Sequence, residues 1–387
     1  MKLDGLRVID LSLFLPGPHM TMIMADHGAE VIKVEPPGSG EPTRHVAYRK
    51  NGETVWFRNT HRNKKSIVLN LKSPEGREAL FRLAESADVL VEAFRPGVVD
   101  RLGIGYAAMA ARNPRLVYCS IAAFGQTGPL RDKPAHDPAI EAQSGTLSLN
   151  LGNDGEPTMA HVPAADMAGS LMALSGVLMA LYRRQTTGRG DYIDISMQDS
   201  LMAWLPNVTG PVFAEGRAPR VKEERSFGGA AFNNIYRCRD GRHVALGGVE
   251  HKFVENLLHA LGRPDLIAVA LRPAGAEQEP VKAFLRETFL TRTRAEWEEF
   301  LSGLDLGWAP VLDLKEAFDQ PQVKARHMLV VDAEGSEHIG LPIKFRDEPG
   351  TLVPATPKLG EHTDAVLRAA GYDDARIAEL RAAGAVA

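Results

Sequence analysis

The sequence predicts an α/β protein built from a large domain with a parallel sheet and a smaller α+β domain. Short β-rich runs alternate with helical spacing through the first 120 residues, and a hairpin pattern follows only after residue 230. A chain of 387 residues is long enough for two or three domains of about 150 residues each. Strands that alternate with helices favour a parallel sheet covered by helices on both faces, which is a Rossmann-like architecture.

In the large domain, β-branched residues mark the strands, and Pro or Gly marks the helix ends. The predicted elements are, in order, strand Arg7–Leu11, helix Pro18–Gly28, strand Ala29–Glu35, strand Ser66–Leu71, helix Pro74–Ser86, strand Asp88–Glu92 and strand Leu116–Ile121. The later stretch Pro163–Tyr182 is apolar enough to imitate a membrane span. Because Asp166 and several Gly and Ser residues interrupt it, we expect a helix buried inside the protein.

The chain changes character near residue 200, and residues 206–229 are rich in loop-forming and charged residues. Asn233–Cys238 and His243–Leu246, joined by a turn at Asp240-Gly241, predict a β-hairpin. Further helices are expected over Phe253–Leu261, Val281–Phe289, Thr293–Ser302, Thr363–Ala370 and Asp374–Ala383. We predict a large domain at 1–200 that is completed by 330–387, a linker at 201–229, and a small α+β domain at 230–329.

The composition excludes several classes of protein. Lys and Arg total 45 against 49 Asp and Glu, and a formal net charge of −4 gives no general attraction to nucleic acid or to an anionic membrane. Two cysteines cannot form a disulfide framework in a chain of this length. The charged start Met1–Arg7 differs from a secretory signal, and we expect a cytoplasmic protein that binds neither nucleic acid nor membrane.

Common cofactor and nucleophile motifs are absent from the sequence. The Gly38-Ser39-Gly40 stretch has Thr43 where a dinucleotide-binding loop has its third glycine, and no GxxxxGK[ST] loop occurs. The 12 histidines form no HExxH pattern, and neither CxxC nor GxSxG is found. A nicotinamide-dependent dehydrogenase, a metal site and a serine hydrolase are therefore not expected.

Three segments place acid or base side chains at predicted loop-to-helix junctions, where parallel sheets often carry functional residues. His136 and Asp137 precede a predicted helix at Ala139–Ser144, Asp166 stands at the start of the apolar helix, and Glu250 follows two glycines after the hairpin. These side chains can act as acids, bases or nucleophiles. They can equally be helix-capping or surface residues, and the local sequence leaves both interpretations open.

A series of motifs runs in a fixed order along nearly the whole chain. The motifs are Gly5–Ser12, Gly17-Pro18, Gly28–Glu35, Asn63–Lys72, Glu92–Gly97, Gly125–Pro129, Thr187–Asp199 and Gly360–Thr363. Together they resemble the class III CoA-transferase (CaiB/BaiF) superfamily, which includes the α-methylacyl-CoA racemases. The resemblance implies an interlocked homodimer, so the expected partners are an acyl-CoA thioester and a second copy of the chain. It implies no cofactor beyond the CoA moiety of that substrate.

The resemblance also implies a catalytic role for each candidate residue. In the transferases, the aspartate at position 166 attacks the thioester and carries the acyl group as an anhydride, then becomes an aspartyl-CoA thioester. In the racemases, Asp166 is an acid/base paired with Asp137, while His136 and Glu250 serve the opposite face of Cα. Because all four residues are present, we interpret the chain as racemising 2-methylacyl-CoA thioesters by proton transfer at Cα. A CoA-transferase acting through Asp166 is the alternative.

For CoA itself, the resemblance points to Leu69, Lys72, Phe94 and Arg101, with Arg101 assigned to the 3′-phosphate. Cations are expected at phosphates on physical grounds, and Arg suits them best. Leu69 and Phe94 can also be plain core residues. A non-enzymatic CoA-binding scaffold is disfavoured because Asp166 and His136 are retained. A dehydratase is disfavoured because no motif supplies a separate acid for a leaving group at the β-carbon.

Overall fold

The computed structural model of the protein describes residues 1–152 and 154–387. The strands are β1 (Arg7–Asp10), β2 (Glu30–Glu35), β3 (Arg49–Lys50), β4 (Glu53–Thr54), β5 (Lys65–Val68), β6 (Val89–Glu92), β7 (Val117–Ala122), β8 (Tyr192–Ser196), β9 (Asn233–Arg237), β10 (His243–Gly247), β11 (Trp308–Pro310), β12 (Leu329–Val331) and β13 (Glu337–Ile339).

The α-helices alternate with these strands in the first part of the chain and dominate after β10. They are α1 (Pro16–Asp26), α2 (Val55–His61), α3 (Pro74–Ala84), α4 (Val98–Arg101), α5 (Tyr106–Arg112), α6 (Asp137–Ser144), α7 (Ala164–Thr187), α8 (Met197–Met202), α9 (Gly210–Glu215), α10 (His251–Ala260), α11 (Ile267–Ala270), α12 (Glu279–Phe289), α13 (Arg294–Ser302), α14 (Leu314–Asp319), α15 (Pro321–Ala325), α16 (Thr363–Ala369) and α17 (Asp374–Ala382).

A parallel sheet forms the centre of the fold, with its strands in the spatial order β5-β2-β1-β6-β7-β8. Numbered along the chain, this is the 3-2-1-4-5-6 order of the Rossmann fold, so the predicted architecture is confirmed. The order reverses between β1 and β6, where chain connections leave in opposite directions. The edge strand β8 is the one member of this sheet that we did not predict as a strand.

Helices cover both faces of the sheet, because successive residues of a strand point to opposite faces. Val8 joins a buried cluster that includes residues of α1 and α7. Its neighbour Ile9 joins a second buried cluster that includes residues of α3, α5, α16 and α17. The near-continuous apolar runs of β1, β6 and β7 are therefore explained by burial on two sides.

The chain divides into two compact units. The first contains residues 1–144, 161–204 and 321–387, and the second contains residues 145–160 and 205–320. These units differ from the predicted domain bounds at 145–160, at the predicted linker 201–229 and at 321–329. In the second unit, β9 and β10 form the predicted hairpin, and β11 adds an antiparallel third strand that the pattern did not predict.

Helix α7 is the predicted apolar helix, and among the described residues it alone is long and apolar enough to cross a membrane. Elements α1, α6, β7 and β8 pack against it, and several of its side chains belong to the core of the first unit. This burial is the arrangement of a core helix, as predicted. Another side of α7 leaves Leu171, Leu178, Met179 and Tyr182 exposed.

Buried charges cluster at the carboxyl end of β1. The Asp10 carboxylate accepts hydrogen bonds from Thr21 Oγ1 (2.6 Å) and from Lys64 Nζ (3.0 Å). Lys33 Nζ lies 3.7 Å from the same carboxylate and donates to the backbone oxygen of Ser12. The charged side chains are at most 1% exposed, so each needs its counter-charge.

The pKa values of this cluster reflect two cations facing one carboxylate. Burial by itself would raise the pKa of Asp10, but the charges of Lys33 and Lys64 hold it well below its usual range. Burial lowers the pKa of Lys64 to about 8, against the opposing attraction of Asp10. Asp10 therefore stays ionised and stabilises the junction of β1, β2, α1 and the residue before β5.

We expect the Asp10→Asn substitution to lower the free energy of unfolding by about 3–5 kcal/mol, because it removes the counter-charge of a buried ammonium group. Both oxygens of Asp10 accept hydrogen bonds, Oδ1 from Ser12 and Oδ2 from Thr21 and Lys64, so asparagine loses acceptors as well as the charge. Urea denaturation measures the change. The depressed pKa of Asp10 adds a second expectation: the difference from wild type should shrink as the pH falls below about 4.

The matched control for this substitution is Glu30→Gln. Glu30 pairs with Arg7 and Lys65, and its side chain is 31% exposed. We expect this partly exposed carboxylate to contribute less than about 1 kcal/mol. Equal losses of stability in the two variants would contradict the role given to Asp10.

Candidate active site

A cavity of about 690 Å³ lies at the carboxyl ends of β1, β2, β5 and β6, where the strand order reverses. Open parallel sheets bind their ligands at this position. Leu69, Lys72, Phe94 and Arg101, the four residues predicted to bind CoA, all line this cavity. Leu69 is also fully buried in the core of the first unit, so this residue is both a core residue and part of the cavity wall.

Glu92, the last residue of β6, holds the loop that carries Phe94. Its carboxyl group accepts a hydrogen bond from the backbone N–H of Phe94 (2.8 Å) and another from the Ser120 hydroxyl. The Gln126 side-chain amide donates to Ser120 Oγ (2.8 Å), which links the loops after β6 and β7. Burial raises the pKa of Glu92 to about 7, despite the opposing effect of its two hydrogen bonds.

Two acidic side chains of α6 hold the first turn of α7. Asp137 Oδ1 accepts hydrogen bonds from the backbone N–H groups of Ala165 (2.8 Å) and Asp166 (3.0 Å). Glu141 Oε1 accepts one from Ala164 (3.3 Å). Capping of α6 is one interpretation of Asp137 from the sequence, but its carboxylate bonds instead to the start of α7. This contact fixes the backbone from which the Asp166 side chain projects.

The carboxyl group of Asp166 titrates close to neutrality. Burial raises the pKa of Asp166 to about 7, and the negative charge of Asp137 acts in the same direction. Burial and a hydrogen bond with Asp137 also raise the pKa of Glu141. Carboxyl groups crowded into one site resist simultaneous ionisation. A group that is about half protonated near pH 7 can both donate and accept a proton.

His136 is exposed, and its ring meets the ring of Phe14 edge-on, with 5.9 Å between centroids. Phe14 has a φ of 64°, a conformation that costs a non-glycine residue about 1–3 kcal/mol. Its backbone N–H donates to Glu41 Oε1 (2.9 Å), and the buried Glu41 carboxylate lies 3.3 Å from Lys33 Nζ. These contacts hold Phe14 in place and thereby orient the imidazole.

Glu250 lies in the second unit, immediately before α10. Glu250 occupies the N-cap position of α10, as one interpretation of the sequence predicted. Its side chain, however, makes no capping hydrogen bond to the helix. It lines a cavity of about 560 Å³ together with Arg225, Asn233 and Gly248. A carboxylate in the wall of a cavity can reach a bound ligand.

Residues 1–152 and 154–387 contain no group of three or more His, Cys, Asp or Glu side chains that could hold a metal ion.

Sequence reasoning missed Phe14, Glu92 and Glu141 as parts of this site. Glu92 is the first residue of the motif Glu92–Gly97, so the motif could have identified it as a candidate site residue. Phe14 and Glu141 act through residues far away in the sequence, and no local pattern distinguishes them. A predicted order of strands and helices does not reveal which side chains of distant elements contact each other.

The Rossmann strand order with a cavity at its reversal point, and a buried carboxyl group whose pKa is raised to about 7, are features typical of α/β enzymes. The chain belongs to CoA-transferase family III, whose family model matches residues 3–363. The superfamily resemblance seen in the motifs is thereby confirmed.

Three similar proteins place the chain within this family. It is 37% identical to an acetyl-CoA:oxalate CoA-transferase of Acetobacter aceti, covering 92% of this chain and 93% of that protein. It is 33% identical to the human alpha-methylacyl-CoA racemase, covering 98% and 96%. A crystal structure of a CaiB/BaiF family protein from Brucella suis superposes with a TM-score of 0.83, 30% identity and coverage of 95% and 99%.

We expect Asp137→Asn to lower the pKa of Asp166 from about 7 toward the ordinary range of an aspartate. The substitution removes a neighbouring negative charge but keeps an oxygen that can accept the N–H groups of α7. Burial remains, so the pKa of Asp166 should stay above its ordinary value. A carboxyl carbon NMR titration of the two proteins measures the shift.

Asp132→Asn is the control, because Asp132 lies in the loop immediately before α6 and its side chain is 79% exposed. We expect it to leave the Asp166 titration unchanged. An unchanged or higher pKa of Asp166 in Asp137→Asn would show that Asp137 does not act on Asp166 through its charge.

Proposed function

We propose that the protein racemises 2-methylacyl-CoA thioesters by moving a proton at Cα. The observation that carries this proposal is the pKa of Asp166, which burial raises to about 7. A racemase must take a proton from one enantiomer and return one to the other, so its acid/base group works in both protonation states. A carboxyl group that titrates near neutral pH meets this requirement.

In the proposed reaction, a base on one face of Cα breaks the C–H bond and takes the proton. The electron pair moves into the thioester, which becomes an enolate, and an acid on the other face donates a proton to Cα. Asp166 serves one face, and His136 with Glu250 serves the other. The surroundings of Asp166 suit this use, because burial and the negative charge of Asp137 both raise its pKa and keep it from being permanently ionised.

The enolate oxygen needs hydrogen-bond donors that become effective as charge develops. In the first turn of α7, the N–H groups of Ala164, Ala165 and Asp166 already donate to Glu141 and Asp137. We therefore propose that these groups do not stabilise the enolate, and that its donors come from other parts of the site.

The cavity at the sheet is proposed to hold the CoA part of the substrate. Lys72 and Arg101 are its exposed cations, and they suit the phosphate groups. Phe94 and Leu69 provide apolar wall for the adenine ring. The neighbouring hydrogen bond from Phe94 to Glu92 keeps this wall in place.

A CoA-transferase is the second candidate, and the comparisons favour it by number, since most of the relatives found are named CoA-transferases. In that reaction, the ionised Asp166 carboxylate attacks the thioester carbonyl and CoA thiolate leaves, which forms an acyl anhydride. Thiolate attack on the anhydride then forms an aspartyl-CoA thioester and releases the first acid. A nucleophile benefits from full ionisation, and the raised pKa of Asp166 counts against this role.

The two candidates differ in how they respond to His136→Ala and Glu250→Gln. For a racemase, we expect each change to slow deuterium incorporation at Cα of 2-methylacyl-CoA in D₂O by about 10²–10⁴-fold, the usual contribution of a general acid or base. Proton NMR of the substrate measures the loss of the α-hydrogen. His45→Ala and Glu255→Gln, which change an exposed histidine and a glutamate whose side chain is 44% exposed, should retain the wild-type rate.

The same proteins are then offered an acyl-CoA and a free carboxylic acid. The racemase proposal expects no transfer of CoA between the two acids. It fails if wild type transfers CoA while His136→Ala and Glu250→Gln keep most of that rate. Asp166 would then be a covalent nucleophile, detectable as a hydroxylamine-sensitive adduct.

We also propose that the protein is an intertwined homodimer, as the family resemblance implies. Leu171, Leu178, Met179 and Tyr182 support this proposal, because they form an exposed apolar side of α7. Monomeric soluble proteins rarely expose a large contiguous apolar patch. An intertwined dimer would bury well over the roughly 1,600 Å² of a standard interface.

In analytical ultracentrifugation, we expect the mass of two chains at all accessible concentrations. Replacing both Met179 and Tyr182 by glutamate should shift the protein toward monomer, because burial of two carboxylates opposes association. Tyr48→Glu, at a side chain that is 87% exposed, is the control and should leave the dimer intact. A concentration-independent monomer in wild type would rule out the proposed assembly.

A further inference from the structure

Two arginine side chains converge on Gly97, the residue immediately before α4. Gly97 has a φ of 78°, and a Cβ atom built on it would lie 3.2 Å from Arg101 Nη1 and 3.4 Å from Arg131 Nη2. Arg101 ends α4, whereas Arg131 lies in the loop between β7 and α6. Two guanidinium groups from separate elements therefore reach the same small space beside a residue without a side chain.

These two cations have little to neutralise them within the described residues. The backbone N–H of Arg101 donates to the Gly97 oxygen (3.1 Å), but its guanidinium group makes no hydrogen bond and no ion pair there. Arg131 Nη1 lies 3.5 Å from the adjacent Asp132, whose side chain is 79% exposed, and such an exposed contact stabilises little. Guanidinium groups stay charged at any pH that a folded protein tolerates, so the pair repels. An anion that both groups contact would turn this repulsion into attraction.

We propose that Arg131 joins Arg101 in binding the 3′-phosphate of CoA, and that it makes the protein selective for CoA over 3′-dephospho-CoA. This inference rests on the proposed function, in which the cavity lined by Arg101 holds the CoA part of the substrate. It adds a residue that lies outside the predicted CoA-binding set.

The chemistry of CoA favours the 3′-phosphate over the pyrophosphate as the group between the two arginines. A phosphate monoester has a second pKa near 6, so it carries close to two negative charges at pH 7. Each phosphate of the pyrophosphate bridge carries one. A dianion matches two guanidinium groups in charge, and its oxygens match their paired N–H donors in geometry. Gly97 leaves room for this group because it has no Cβ.

Isothermal titration calorimetry with CoA and with 3′-dephospho-CoA tests the assignment. We expect wild type to bind CoA at least tenfold more tightly than the dephospho form. Arg131→Ala should weaken CoA binding by about 10- to 100-fold, the range for hydrogen bonds to a charged group, and change dephospho-CoA binding less than twofold. Arg101→Ala should behave in the same way. Arg131→Lys should be intermediate, because it keeps a charge but loses the planar donor pair.

Arg112→Ala is the matched control, because it removes an exposed arginine that pairs with Glu78 and Glu85 on the surface. It should bind both ligands as wild type does. Should Arg131→Ala not fold, as judged by thermal melting, Arg131→Gln and Arg131→Lys provide the same comparison.

Three results would overturn the inference: wild type binding both ligands equally, Arg131→Ala weakening both ligands equally, or Arg131→Ala weakening neither. These results are distinguishable from failure of the proposed function. If wild type binds CoA selectively through Arg131 but neither exchanges the α-proton nor transfers CoA, the proposed function fails and the phosphate assignment stands. If catalysis is present while the ligand preference is unaffected by Arg131→Ala, only the assignment fails.

Discussion

The pairing of one buried carboxylate with two buried ammonium groups is the interaction on which the candidate site depends. Asp10 neutralises Lys33 and Lys64, and Lys33 in turn lies beside the buried Glu41. Glu41 accepts the backbone N–H of Phe14, whose ring meets the exposed ring of His136. Because a buried charge without a partner is very unfavourable, this series has few alternative arrangements. Charge pairing inside the sheet is thereby connected, through Phe14, to an imidazole at the surface.

The start of α7 shows how the same fold can reverse an expected electrostatic effect. Free N–H groups at a helix start favour a nearby negative charge and would lower the pKa of an aspartate there. In this protein, Asp137 and Glu141 accept those N–H groups, so Asp166 is surrounded by acidic neighbours and by buried surface. The pKa of Asp166 therefore rises. Burial is the first cause of this rise, and Asp137 on α6 adds to it through its negative charge.

The alternation of strands and helices was sufficient to predict the parallel sheet, because burial on both faces leaves a strong local pattern in β1, β2, β6 and β7. The edge strand β8 and the short strand β11 lack that pattern, since their side chains are only partly buried. The four residues that line the cavity were predicted from the resemblance of motifs to a family, and not from the periodicity of apolar residues. Contacts such as those of Phe14 with His136 and of Glu141 with Ala164 join distant parts of the chain, so no local signal could reveal them.

The discontinuous composition of the first unit has a consequence for synthesis on the ribosome. Asn70 N–H donates to the backbone oxygen of Ala385 (2.8 Å), and Leu69 pairs with Val386, so two residues that line the cavity at the sheet are held by residues made more than 300 positions later. At about 5–20 residues per second, the segment after β5 that carries Leu69 waits many seconds for these partners. During that interval the apolar surface of Leu69 is open to chaperones. This part of the first unit is therefore completed only when the last residues of the chain have been made.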